Sequence, residues 1–200
     1  MPTTIDYYLV PQSPWTYLGH ARFAGIARAA GVEVKLRPID LGRVFPISGG
    51  LPLGKRAPQR QAYRLVDMAR SARHLDLPIN VEPKYFPVAG DDAARLMSAV
   101  DQHDGADAAM ALTGAILAAV WVQQRDIADA AVLQALLEEN GLHGERLAQS
   151  KEPSVQQRYE ADTQRAIDAG VFGAPSYVLD GEIFWGQDRL DLLERALQAR

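Results

Sequence analysis

The 200-residue chain holds 21 lysines and arginines against 25 aspartates and glutamates, and no cysteine. A net charge of −4 lacks the basic footprint of a nucleic-acid binder, and the missing cysteines exclude disulfides, thiolate metal sites and protein thiol–disulfide exchange. The hydrophobic fraction is 48%, and no apolar run reaches the ~18 residues of a membrane span, so a soluble, globular, cytoplasmic protein without a secretory signal is expected.

Ile5–Val10 is a short apolar run stopped by Pro11, which reads as a buried strand. Gln12-Ser13-Pro14-Trp15 marks a helix start. The Ser13 hydroxyl can accept a first-turn N–H, and Pro14 at the first helical position forfeits no hydrogen bond. The helix carries Trp15, Leu18, Phe23 and Ile26 and stops at Gly31. Val32–Pro38 alternates apolar and charged residues and reads as a second strand. Strand, helix and strand in this order demand a parallel pair with a right-handed crossover.

Leu41–Pro58 holds four glycines and three prolines and reads as loop. Helices follow over Pro58–Leu75, Asp91–His103, Asp107–Gln124, Asp129–Glu139 and Pro153–Ala169, with Gly141 and Gly170 closing the last two. Ala174–Leu179 is a strand, Asp180-Gly181 a hairpin turn and Glu182–Trp185 the returning strand. A last helix carries Leu190, Leu192, Leu193, Ala196 and Leu197, with Asp188 as its expected N-cap.

This order is similar to that of thioredoxin-like proteins with a helical insertion, as in DsbA. Ser13-Pro14-Trp15-Thr16 occupies the place of their Cys-x-x-Cys, and Ala174-Pro175 the place of their cis-proline. Three stretches are more specific: Ser13-Pro14-x-x-Tyr17-Leu18, Gly170-Val171-Phe172-Gly173-Ala174-Pro175 and Phe184-Trp185-Gly186-x-Asp188-Arg189. Together they resemble the 2-hydroxychromene-2-carboxylate isomerase and kappa-class glutathione transferase family over essentially the whole chain, Trp121 and Asp126-Ile127 included. The resemblance implies an α/β, thioredoxin-like fold with a large all-helical insertion. Residues 1–40 plus 153–200 would form the thioredoxin-like domain and 41–152 the insertion. It also implies glutathione as cofactor, a small aromatic substrate, no nucleic-acid or membrane partner, and a homodimer.

Ser13 alone reads as an N-cap, a place where the helix dipole and free N–H groups favour an anion. The resemblance adds a role: donating a hydrogen bond to the glutathione thiolate, which would lower the thiol pKa. It likewise implies that main-chain atoms of Ala174, before cis-Pro175, meet the cysteinyl backbone of glutathione. Asp188 would take the γ-glutamyl amino group, with Gln187 beside it. In the glutathione site, relatives often carry an asparagine where this chain has Gly50, and a basic residue of the following loop that corresponds to Lys55 or Arg60. Trp15, Tyr85, Phe86 and Trp121 are candidate walls for the aromatic substrate, and Arg60, Lys55 and Arg189 candidate partners for its carboxylate.

His20, His74, His103 and His143 form no metal-ligating pattern, and Ser13 has no His/Asp partners by spacing. The implied reaction interconverts 2-hydroxychromene-2-carboxylate and trans-o-hydroxybenzylidenepyruvate. Thiolate addition to the conjugated double bond allows rotation before elimination. Two rivals stand beside it: a kappa-like glutathione transferase or peroxidase acting on another electrophile, and a non-catalytic thioredoxin-like binding module.

Overall fold

The computed structural model describes residues 3–199. Its sheet has four strands in the order β2-β1-β3-β4: β1 (Thr4–Leu9), β2 (Glu33–Pro38), β3 (Ser176–Leu179) and β4 (Glu182–Trp185). The helix α1 (Pro14–Ala30) connects β1 to a parallel β2, with Ile5 opposite Val34 and Tyr7 opposite Leu36. β3 returns antiparallel to β1 and β4 antiparallel to β3, through the turn at Asp180-Gly181. Gly31 closes α1 in the left-handed region at φ 63°, and the Ala174-Pro175 bond is cis, as is Phe86-Pro87.

The two-residue period of the strands sorts the core. Ile5, Tyr7, Leu9, Tyr177 and Leu179 face one way and share a buried cluster with Phe23, Leu190 and Leu193. The same cluster runs on without a break into the insertion through Met68, Leu96, Met97, Ile116 and Trp121. Tyr8, Val10 and Val178 face the other way, against Val44 and Ala166.

The insertion contains α2 (Leu41–Ser48), α3 (Pro58–His74), α4 (Asp91–Asp104), α5 (Ala106–Trp121), α6 (Ala130–Glu139) and α7 (Arg146–Gln149). α8 (Pro153–Asp168) leads back to the sheet, and α9 (Leu190–Gln198) ends the described chain.

The expected loop over 41–58 is therefore corrected to a helix and a short 3₁₀ turn at Leu53–Lys55. Asp40 nucleates α2 by accepting the Gly42 N–H at 2.7 Å, and Val44 anchors it to the core. Pro46 lies inside it, so the Gly42 carbonyl lacks its usual donor, and α2 stops after eight residues. α5 ends at Trp121 rather than Gln124, whose φ of 54° is incompatible with a helix.

Asp188 is also corrected. It does not cap α9 but sits in a 3₁₀ turn at Gln187–Arg189, with its carboxylate paired to Arg189 at 2.7 Å. Among the described residues, no helix is long and apolar enough to cross a membrane.

Candidate functional site

A cleft of about 570 Å³ runs between two unlike walls. One comprises Trp15 of α1, Ala174 and the segment Trp185–Arg189; the other is a stripe of α3, with Arg56 just before it. Gln59, Arg60, Tyr63, Arg64, Asp67 and Ser71 form that stripe, recurring every three or four residues so that one helix face meets the cleft.

Two residues before Trp15, and outside the cleft lining itself, Ser13 is 7% exposed. Its backbone is extended, and its Oγ accepts the Thr16 N–H at 3.2 Å. The Ser13 proton has no acceptor among the described residues, and neither does the Trp15 N–H. A hydroxyl that accepts one bond donates its own proton more strongly. The α1 start is braced by Tyr17, whose hydroxyl donates to the Pro78 carbonyl at 2.6 Å.

Ala174 lies half-buried in the same wall. Neither its N–H nor its C=O is used by another described residue, whereas the Pro175 carbonyl accepts the Gly186 N–H at 2.9 Å. The segment Trp185–Arg189 comes close to α1 because Gly19 has no side chain. A Cβ there would lie 2.9 Å from both Gln187 Cβ and Tyr177 Oη.

Beneath this wall lies a layer of buried rings, Tyr7, His20, Phe23 and Tyr177, with Tyr7 and Tyr177 stacked at 5.1 Å. His20 donates from Nε2 to the Met110 carbonyl at 2.9 Å and accepts from the Tyr7 hydroxyl at Nδ1, 3.2 Å away. Burial pushes its pKa down to about 4, the Met110 carbonyl opposing part of the shift, so the ring is neutral.

The second wall is cationic. Arg56, Arg60 and Arg64 stand four residues apart, and Arg189 lines the opposite side. Burial lowers the pKa of Arg64 to about 10, with Arg56 adding repulsion, and burial followed by Arg60 lowers that of Arg56.

Of the residues singled out by sequence, Trp15, Arg60, Ala174, Gln187, Asp188 and Arg189 line this one cleft; Pro175 follows Ala174 and Ser13 lies two residues before Trp15, neither in the lining. Gly50, Lys55, Tyr85, Phe86 and Trp121 do not line it. Trp121 is fully buried and packs on Phe86, with ring centroids 5.0 Å apart. Tyr85 lies beneath the Lys84 ammonium. At Gly50, any Cβ would fall 2.2 Å from the Phe45 ring, so the asparagine of relatives has no room on this backbone.

Sequence reasoning missed Arg56, Gln59, Tyr63, Arg64, Asp67, Ser71, Trp185 and Gly186. The signal for most of them was the polar stripe of α3, which flanks its buried Met68 and Ala72.

Comparison with known proteins matches residues 4–198 to the DsbA-like thioredoxin domain. The 2-hydroxychromene-2-carboxylate isomerase of Sphingobium xenophagum is 31% identical, covering 98% of this chain and 99% of that protein. The chain belongs to this isomerase family, within the DsbA-like thioredoxin fold. The enzyme also resembles human glutathione S-transferase kappa 1, at 25% identity over 98% of its own length and 92% of the relative's. A solved 2-hydroxychromene-2-carboxylate isomerase superposes with a TM-score of 0.82 at 27% identity, covering 98% of this chain and 95% of that one. The cytosolic disulfide reductase DsbM of Pseudomonas aeruginosa with GSH shares the fold at a TM-score of 0.70 and 22% identity, covering 98% and 99%.

Proposed function

We propose that the enzyme is a glutathione-dependent isomerase that interconverts 2-hydroxychromene-2-carboxylate and trans-o-hydroxybenzylidenepyruvate, acting in aromatic catabolism as a cytoplasmic homodimer. The observation that carries this reading is one cleft joining a free Ala174 main chain, the α1 start and a cationic helix face. Full-length similarity to isomerases of that name supports it.

The residues fit glutathione in kind. An unpaired N–H and C=O at Ala174 offer a strand-like pair to a peptide backbone, and Asp188 offers a carboxylate to an amino group. Arg56 and Arg60 offer cations to carboxylates. When bound, glutathione supplies a thiol whose thiolate adds reversibly to a conjugated double bond. Ser13, whose Oγ accepts the Thr16 N–H and whose own proton has no acceptor among the described residues, would donate that proton to the sulfur and so favour the thiolate at neutral pH. Trp15, Tyr63 and Trp185 supply apolar surface for an aromatic ring.

Purified enzyme mixed with 2-hydroxychromene-2-carboxylate tests the reading by absorbance, with and without glutathione. Turnover is expected only with glutathione, and Ser13→Ala is expected to lower it by about 100-fold, the cost of removing one preorganised donor. Absence of turnover, while glutathione still raises the melting temperature, would overturn the isomerase reading. The kappa-like transferase reading, supported by the human relative, would then stand, with another electrophile as substrate. No thermal response to glutathione would point instead to a non-catalytic module.

A further inference from the structure

Arg64 is a cation without a counter-charge. It projects from the middle of α3 to the cleft, and its guanidinium makes no ion pair or hydrogen bond with any described residue. Its guanidinium carbon lies 5.0 Å from the centroid of the Phe86 ring and 5.7 Å from that of Trp121. Other withdrawn arginines are answered by carboxylates: Arg37 by Asp6 and Asp162, Arg146 by Asp104, Arg158 by Asp101. Around Arg64, by contrast, no carboxylate of a described residue comes within ion-pair distance, although Asp67 lines the same cleft, and burial together with the like charge of Arg56 raises the cost of keeping it ionised.

An anion in the cleft would remove that cost. A guanidinium stacked on rings keeps the N–H donors at its edge for a further partner, and their fork matches a carboxylate. Trp15, Tyr63 and Trp185 line the same cavity and suit an aromatic body attached to that carboxylate.

We infer that Arg64, seated on the Phe86–Trp121 shelf, is the specificity-determining residue that binds the carboxylate of a planar aromatic substrate. The inference deepens the proposed function and rests on its assignment of an aromatic carboxylate as substrate. Glutathione also carries carboxylates, so the test must separate the two sources. The free main chain at Ala174 is the feature suited to a peptide and lies on the opposite wall, and Arg56 and Arg60 are the cations offered to the glutathione carboxylates, which leaves Arg64 for the substrate.

Titration calorimetry on the full chain, with trans-cinnamate and with uncharged trans-cinnamamide, gives the test without requiring turnover. The wild type is expected to prefer cinnamate by at least about 10-fold, and Arg64→Gln to weaken cinnamate by about 10–100-fold, as for loss of a charged hydrogen-bond partner. Arg64→Lys keeps the charge but loses the fork, so it is expected to fall between them. It carries the same reading if the glutamine variant does not fold. Glutathione affinity is expected to stay within about two-fold in both variants, a split that simple unfolding would not produce.

Equal binding of acid and amide by the wild type would overturn the inference, as would cinnamate affinity untouched by Arg64→Gln. A loss of glutathione affinity as large as that of cinnamate would also overturn it, assigning Arg64 to the cofactor. Cinnamate preference in an enzyme that fails to turn over 2-hydroxychromene-2-carboxylate would uphold Arg64 while sinking the isomerase reading.

Discussion

The two walls of the cleft are built from different materials. On the thioredoxin-like side main-chain groups stand free, the Trp15 N–H and the Ala174 N–H and C=O, beside the Ser13 hydroxyl and the short segment carrying Gln187, Asp188 and Arg189. On the α3 side they are long side chains, Arg60, Tyr63, Arg64 and Asp67, carried on a helix whose other face is anchored in the core. Main-chain groups survive most substitutions, whereas side-chain groups change with every mutation. The first wall therefore suits a constant ligand and the second a variable one.

Three perturbations sharpen that contrast beyond Ser13→Ala and the Arg64 variants. The largest concerns the foundation of the first wall. His20 has its pKa at about 4 in the fold against about 6.5 when unfolded, so the unfolded chain takes up a proton first. Its stabilising contribution is complete above pH 6.5 and is lost as pH falls towards 4, by about 3 kcal/mol in all. Urea unfolding at pH 7 and pH 4 measures it. The His20→Gln variant is expected to be weaker at neutral pH but to lose less on acidification, by about that amount.

A smaller effect is expected from Gly19→Ala. The added methyl would press on Gln187 and the Tyr177 hydroxyl and displace the segment bearing Asp188, at about 1–3 kcal/mol. Thermal melts read the stability, and calorimetry reads a parallel loss of glutathione affinity. The α3 wall should be unaffected, so cinnamate affinity is expected to hold.

The smallest is Ala174→Ser. Because this position offers a ligand only its N–H and C=O, glutathione affinity is expected to change by less than about two-fold, within the ±0.5 kcal/mol of an uninvolved site. A ten-fold loss by calorimetry would show that the first wall also depends on side-chain identity.

Much of the first wall was legible in the sequence because its signals are local. Ser13-Pro14 starts α1, Gly31 ends it, and Asp180-Gly181 turns the hairpin, each through chemistry confined to a few residues. The second wall was hardly legible. Periodicity shows that α3 has a buried face at Met68 and Ala72, but not what its polar face meets across the cleft.

The same limit explains Trp121 and Phe86. Their aromatic character suggested a substrate wall, yet they lie one layer behind it, under Arg64. α2 was hidden by its Gly and Pro content, which masked the cap at Asp40 and the anchor at Val44. Asp188 satisfied the composition of an N-cap, but its own ion pair to Arg189 and the 3₁₀ turn around it place it elsewhere.

The apolar cluster that begins under β1 and continues to Trp121 has a consequence for how the two walls can move. Among the described residues, buried apolar side chains join the sheet's α1 face to the insertion in one cluster, beside a second cavity of about 710 Å³ between α1, β2 and α5. Hinge-like opening of the cleft would have to part close-packed side chains rather than flex a linker. The gap between the walls is in that sense a fixed caliper. A ligand is measured against a spacing set by core volume, so a methyl group added deep in the protein, far from any reacting atom, alters which substrates fit.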